Sequence, residues 1–177
     1  MPITYLDPDA GPPHETHEYQ LRLAGDGAVR IGLLANGFPD STAFLQEVQA
    51  AIGAHQPDAS FVLYTKPRLG TSLTPDEIGQ HFGDCDALVV AIGHCGSCTA
   101  ASTRDAVTIA GYGLPVVLLV TEVFHPLAAQ VAFSLGLTGL PQVVLPHPLA
   151  GTGLENLRVV ATKFSPEILS DLRGLAA

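Results

Sequence analysis

Five apolar runs, each separated from the next by a segment with helical spacing, constrain the fold of this chain more than any other feature. The runs cover 29–35, 59–65, 86–92, 116–121 and 142–145. Continuously apolar strands are buried on both faces, and strands that alternate with helices form a parallel sheet. The pattern therefore predicts a doubly wound α/β fold with a mainly parallel five-stranded sheet, helices on both faces, and the flavodoxin-like strand order.

The segments between the runs carry signals for helices. Asp40 or Ser41 is a suitable N-cap for the first helix, and Thr74 followed by Pro75 opens the second. The predicted helices cover 41–54, a segment that opens at Thr74, 100–111, 125–135 and 153–175, and we expect the last to be interrupted near Pro166.

The first 28 residues differ from the rest of the chain. They are rich in proline, and Tyr19, Leu21 and Leu23 alternate with polar residues, which predicts one short half-exposed strand. We expect an extended N-terminal arm over 1–28 that lies on the domain or on a partner subunit, with a disordered tail as the alternative. Residues 29–177 are predicted to form a single α/β domain.

Composition excludes several classes of function. The net charge is -9 and the chain has 8 lysines and arginines, so it lacks the basic stripe that nucleic-acid binding needs. No apolar run approaches the ~20 residues of a membrane span, and the N-terminus does not resemble a secretory signal. With 3 cysteines, the sequence does not suggest a disulfide framework. We expect a cytoplasmic protein that forms a homo-oligomer, because the arm and the proline-rich edges need a surface to cover.

Polar or reactive residues follow every predicted strand. In a doubly wound sheet, ligands bind beyond the carboxyl ends of the strands, at the point where strand order reverses. In the predicted order the first and third strands are neighbours, so Asn36 faces the loop at 93–99. The residues predicted to bind substrate are Asn36, Gly37, Lys66, Gly96, Ser97, Thr99, Glu122 and His125.

Cys95 and Cys98 open the helix that follows the third strand. Helix N-terminal N–H groups favour thiolate over thiol, which predicts attack by Cys95 and resolution by Cys98. His94 favours the thiolate further when it is protonated, and the rigid His147 between two prolines is suited to be a fixed acid or base. The N–H groups of the loop form a nest for an anionic oxygen. The predicted catalytic residues are Cys95, Cys98, His94 and His147.

Two other interpretations of the cysteine pair stay open. The first is that both are small buried hydrophobes, as free cysteines often are, and this is also how we interpret Cys85. A zinc site is the second, with His94, His125 and His147 as further ligands, but one CxxC supplies only two of the four ligands. We therefore predict no metal and no cofactor.

The sequence Cys95-Gly96-Ser97-Cys98 resembles the UGSC-motif family, in which a Gly-Ser-Cys run follows selenocysteine or cysteine. Similar segments over most of the chain include Leu6-Asp7-Pro8, Asn36-Gly37-Phe38-Pro39, Lys66-Pro67, Gly113-Leu114-Pro115 and the run at 144–148. The resemblance implies a redox-active or nucleophilic residue at Cys95. A more distant likeness is to two-cysteine racemases of the α/β type, which place their thiols on separate loops.

These observations predict a thiol-dependent enzyme that acts on a small carboxylated or carbonyl-bearing molecule, with redox chemistry favoured. One alternative is a cofactor-independent nucleophilic cysteine enzyme that catalyses addition, elimination, hydration or isomerisation. The other is a metal- or ligand-binding module without turnover. The expected partners are a small-molecule substrate and a thiol reductant or partner protein.

Overall fold

A parallel sheet in the computed structural model confirms the predicted α/β class. The structure describes residues 15–25, 27–68 and 70–175. Within these ranges five strands form one sheet: β2 (Arg30–Ala35), β3 (Ser60–Thr65), β4 (Ala87–Gly93), β5 (Val116–Thr121) and β7 (Gln142–Leu145). Their order is β3-β2-β4-β5-β7, and all four pairings are parallel. This is the flavodoxin-like order, and its reversal lies between β2 and β4.

Helices cover both faces of this sheet. They are α1 (Ser41–His55), α2 (Pro75–Phe82), α3 (Gly96–Tyr112), α4 (His125–Ser134) and α5 (Leu154–Leu172). Alternate strand residues enter two separate cores: Leu33 and Val89 belong to the core that contains residues of α1 and α5, whereas Leu34 and Leu88 belong to the core with residues of α2, α3 and α4. The central strands therefore have no polar face, as their sequences predict.

The start of α2 follows the sequence signals. The Thr74 hydroxyl accepts the N–H of Glu77, and the Glu77 carboxylate accepts the N–H of Thr74, which completes a capping box with Pro75 at the first helical position.

The predicted interruption of the last helix near Pro166 is not observed, because α5 continues through this residue. Proline lacks the N–H that would bond to the carbonyl four residues earlier. Here that carbonyl, of Thr162, accepts the hydroxyl of Ser165 at 3.1 Å. The side-chain bond replaces the missing backbone bond.

Residues 15–25 lie against the domain. Strand β1 (His17–Glu18) pairs in parallel with β6 (Leu137–Thr138), so the strand in this segment precedes the one predicted around Tyr19–Leu23. The Tyr19 hydroxyl instead bonds to the backbone of Val116, and the N–H of Leu23 donates to Leu172. The prolines at the start of the arm lie outside the described residues. None of the helices in the described part of the chain has the length and apolar character needed to span a bilayer.

Candidate active site

The two cysteines lie at the N-terminus of α3, directly beyond the carboxyl end of β4. Cys95 is the N-cap residue in extended conformation, and its Sγ accepts the N–H of Cys98 at 3.2 Å. The two Cα atoms are 5.3 Å apart, and the sulfurs form a disulfide. Cys98 is fully buried, whereas Cys95 is partly exposed. Cys95 is therefore the more exposed residue of the pair. It lies at a helix N-terminus, a position that in general favours a thiolate over a thiol.

Close packing around Gly93 fixes the approach of the chain to this loop. A Cβ at this position would lie 2.8 Å from Cγ2 of Val120 and 3.0 Å from Oγ1 of Thr99. The pairing of β4 with β5 also shifts register between Ala91 and Gly93. Only glycine fits here without moving the side chains of Val120 and Thr99.

Asn36 joins the end of β2 to β4 and α3, which flank the cysteine loop, as the predicted strand order requires. Its side chain is fully buried, and Nδ2 donates to the carbonyl of Ile92 and to Oγ of Ser102, both at 2.9 Å. Its Oδ1 accepts the N–H of Phe38 at 3.1 Å. Both amide protons of Asn36 are thus used inside the protein, so the residue positions β4 and α3 relative to β2. The following residue, Gly37, has a positive φ of 82°.

His147 lies beyond β7 and is connected to the cysteine loop through Thr121. Its Nδ1 is 3.2 Å from Oγ1 of Thr121, which donates to the carbonyl of Gly93 at 3.2 Å. The backbone N–H of His147 is 3.4 Å from the Glu122 carboxylate, and the Phe124 ring makes an edge contact at a centroid distance of 5.7 Å. His147 itself is exposed, so its ring is held but accessible.

The surroundings of His94 favour the uncharged form of its imidazole. The residue is partly buried, and its ring meets the Phe38 ring edge-on at 6.4 Å. Burial lowers the pKa of His94, and positive charge on His147 lowers it further, while Asp40 opposes both effects. The neutral imidazole is favoured, which differs from the protonated form that the sequence interpretation used to activate Cys95. Its Nδ1 is buried without a hydrogen-bond partner among the described residues.

Lys66 lies at the carboxyl end of β3, but its ammonium is already paired with a buried carboxylate. Nζ is 2.5 Å from Oδ2 of Asp105, and the side chains of the pair are 2% and 0% exposed. The other oxygen of Asp105 accepts the N–H of Leu73 at 2.9 Å. Asp105 is roughly three turns along α3 from Cys95. This arrangement directs Lys66 toward the packing of α3 rather than toward the cysteines.

The other predicted site residues surround the cysteine pair or the neighbouring strand ends. Gly96 and Ser97 form the exposed first turn of α3, and Oγ of Ser97 is 3.6 Å from Sγ of Cys95. Thr99 is fully buried, and in the described structure its Oγ1 has no hydrogen-bond partner. Glu122 is exposed after β5, and His125 begins α4 in a partly buried position.

Sequence reasoning did not select Ser102 and Asp105, which hold Asn36 and Lys66 in place. A signal for them is present in the sequence. Together with Thr99 they recur at intervals of three residues on α3, so they share one face, and all three are fully buried. A polar stripe on a helix face that packs in the interior predicts internal hydrogen bonds.

Within the described ranges, no group of three or more histidine, cysteine, aspartate or glutamate side chains could hold a metal ion. The fold and the site define a doubly wound α/β protein in which a cysteine pair opens a helix, beside the point where the strand order reverses. The chain belongs to the UGSC family, whose family model matches residues 4–174. A search among curated proteins gives no match.

Proposed function

We propose that the protein is a thiol-dependent oxidoreductase whose Cys95–Cys98 pair passes two electrons to a small carboxylated or carbonyl-bearing molecule. The observation that carries this proposal is the asymmetry of the pair. Cys95 is accessible at the N-cap of α3, and Cys98 is buried one turn further on, within bonding distance. An accessible nucleophile beside a buried resolving thiol is the arrangement that reversible dithiol chemistry needs.

The proposed cycle balances in two steps. Cys95 displaces a leaving group X from the substrate R–X, forming a bond from Sγ to R, and X leaves as HX with the thiol proton. Cys98 then attacks Sγ of Cys95, the electron pair of the broken bond leaves with R, and R takes a proton to become R–H. The substrate gains two electrons, and the dithiol is oxidised to the disulfide. An external dithiol reductant, such as a cytoplasmic thiol–disulfide protein, restores the reduced pair.

The first turn of α3 is the proposed binding site for the carboxylate or carbonyl oxygen of the substrate. The N–H groups of Gly96 and Ser97 belong to this exposed turn, and the helix dipole favours negative charge there. Lys66 has no role in this scheme, because its ammonium is buried against Asp105.

A single turnover by two matched variants tests the proposal. Each variant replaces one sulfur by oxygen, Cys95→Ser or Cys98→Ser, and the thiol that the reduced protein releases from hydroxyethyl disulfide is measured without any external thiol, which could otherwise replace Cys98. We expect the wild type to release both halves of the disulfide as thiols, Cys98→Ser to release one half and keep the other on Cys95, and Cys95→Ser to release neither. Cys85→Ser is the control, because Cys85 is buried at the opposite end of β4 and is not part of the pair.

If Cys98→Ser releases as much thiol as the wild type while Cys95→Ser releases none, the redox proposal is wrong and Cys95 is a nucleophile that needs no resolving thiol. A stoichiometric metal bound to unreactive thiols would instead support the binding module without turnover.

A further inference from the structure

Thr121, the last residue of β5, makes two hydrogen-bond contacts through one side-chain oxygen. Its hydroxyl donates to the carbonyl of Gly93 at 3.2 Å, and the same oxygen lies 3.2 Å from Nδ1 of His147. Thr121 is fully buried, so water does not reach its hydroxyl. The residue thereby connects the strand end that opens the cysteine loop to the histidine that follows β7.

These two contacts decide which ring nitrogen of His147 carries a proton. A threonine hydroxyl has one proton and a carbonyl oxygen only accepts, so the Thr121 proton points to Gly93. The Thr121 oxygen is then the acceptor for His147, and Nδ1 must donate. In the neutral ring Nε2 is therefore unprotonated. In the imidazolium the bond from Nδ1 persists, and Nε2 is the only ring atom that has changed.

We infer that Thr121 is a positioning residue that holds His147 in the Nδ1–H tautomer, so that Nε2 is the atom that exchanges protons during the chemistry of Cys95 and Cys98. The inference rests on the proposed function. In the first step Nε2 takes the thiol proton of Cys95 and gives it to X. In the second step it takes the thiol proton of Cys98 and gives it to R.

The surroundings of the ring agree with this role. The carboxylate of Glu122 lies near the backbone N–H of His147, and the Phe124 edge contacts the ring, so residues that follow β5 contact both the backbone and the side chain of His147. Positive charge on His147 also acts on His94, the residue next to Cys95. The ring is thus within electrostatic reach of the cysteine loop.

A long-range proton–nitrogen NMR correlation spectrum of the reduced wild-type protein reads the tautomer directly, with His147→Asn identifying the signals. At a pH where the ring is neutral we expect Nδ1 at the chemical shift of a protonated nitrogen and Nε2 at that of an unprotonated one. Thr121→Val keeps the shape of the side chain but removes the acceptor, so the Nε2–H tautomer, which is favoured in a free histidine side chain, becomes populated. Thr121→Ser restores the Nδ1–H tautomer. An Nε2–H tautomer in the wild type, or no change in Thr121→Val, refutes the assignment.

Two disulfide probes then test the proton transfer. Hydroxyethyl disulfide releases a basic thiolate that needs a proton, whereas the aromatic disulfide DTNB releases a weakly basic one that does not. We expect Thr121→Val to slow the reduction of hydroxyethyl disulfide roughly tenfold, the effect of losing one ordered hydrogen bond, and to slow the DTNB reaction less, because that reaction needs Nε2 only to take the thiol proton. Thr108→Val is the matched control, because the Thr108 hydroxyl bonds to Arg104 within α3 on an exposed face.

Equal slowing with both probes, or slowing with neither, refutes the role of Thr121. The failure of the proposed function gives a different result, in which reduced wild-type protein reacts with neither probe while the NMR spectrum still reports the tautomer.

Discussion

The buried ion pair of Lys66 and Asp105 carries the largest stability effect that we predict from a single substitution. Asp105→Asn preserves the side-chain shape and the oxygen that accepts the N–H of Leu73, but it leaves the Lys66 ammonium without a counter-charge. The two side chains are 2% and 0% exposed, so water cannot replace the lost carboxylate. Removing one partner of such a pair costs about 3–5 kcal/mol. We expect the free energy of unfolding to fall by that amount.

Lys66→Met has a cost that depends on pH. Burial raises the pKa of the Asp105 carboxyl, and Lys66 opposes this rise, so in the variant the pKa rises further. A carboxyl with a raised pKa in the folded state contributes stability below its unfolded pKa, and this contribution is lost as pH rises through the folded pKa. Lys66→Met is therefore expected to lose more stability at about pH 8 than at about pH 5.

Urea unfolding followed by circular dichroism under reducing conditions measures both effects. The double variant Lys66→Met/Asp105→Asn buries no charge and keeps the oxygen that accepts the N–H of Leu73, so it should recover most of the loss seen in Asp105→Asn. Glu47→Gln is the control, because its partner Arg158 is 68% exposed, and we expect no change beyond the error of the fit. If Asp105→Asn is no less stable than Glu47→Gln, the ion pair of Lys66 and Asp105 does not stabilise the fold. The Lys66 ammonium would then be free to bind a ligand at the candidate active site.

Two smaller predictions concern the cysteine loop. Burial lowers the pKa of His94, so its contribution to stability is present above the unfolded pKa of about 6.5 and is lost as pH falls below that value through the lower folded pKa. His94→Asn should therefore flatten the fall of the melting temperature over that range, and an unchanged slope would show that another group titrates there. Gly93→Ala should destabilise by about 1–3 kcal/mol, because the new methyl group would lie 2.8 Å from Val120. Gly96→Ala is the control, with nothing within 4 Å of the added carbon, and an equal loss in both variants would contradict the steric argument.

The strand order was predictable because the apolar runs leave few alternatives. A run such as 86–92 is apolar at nearly every position, so it must be covered on both faces, which places it inside a parallel sheet. This order puts the end of β2, which Asn36 follows, beside the end of β4. The hydrogen bond from Asn36 to the carbonyl of Ile92 joins these two strand ends. Local chemistry was equally informative at Thr74, where the cap is made by residues close in sequence.

Contacts between residues distant in sequence were not predictable in this way. Lys66 and Asp105 are separated by 39 residues, and no local pattern indicates that a lysine after β3 pairs with an aspartate inside α3. The continuation of α5 depends on whether the Ser165 hydroxyl points back to Thr162 or outward, which spacing does not determine. The favoured charge state of His94 likewise depends on burial, which follows from tertiary packing.

Trapping of a covalent adduct tests the central claim, that Cys95 attacks and Cys98 resolves, most directly. Reduced Cys98→Ser and reduced wild-type protein are each treated with small disulfides and with carbonyl compounds that carry a leaving group, and intact-mass and peptide mass spectrometry locate the product. We predict a stable adduct on Cys95 in Cys98→Ser, and in the wild type a Cys95–Cys98 disulfide with the reduced substrate released. A stable adduct on Cys95 in both proteins, or an adduct on Cys85 alone, would contradict the claim.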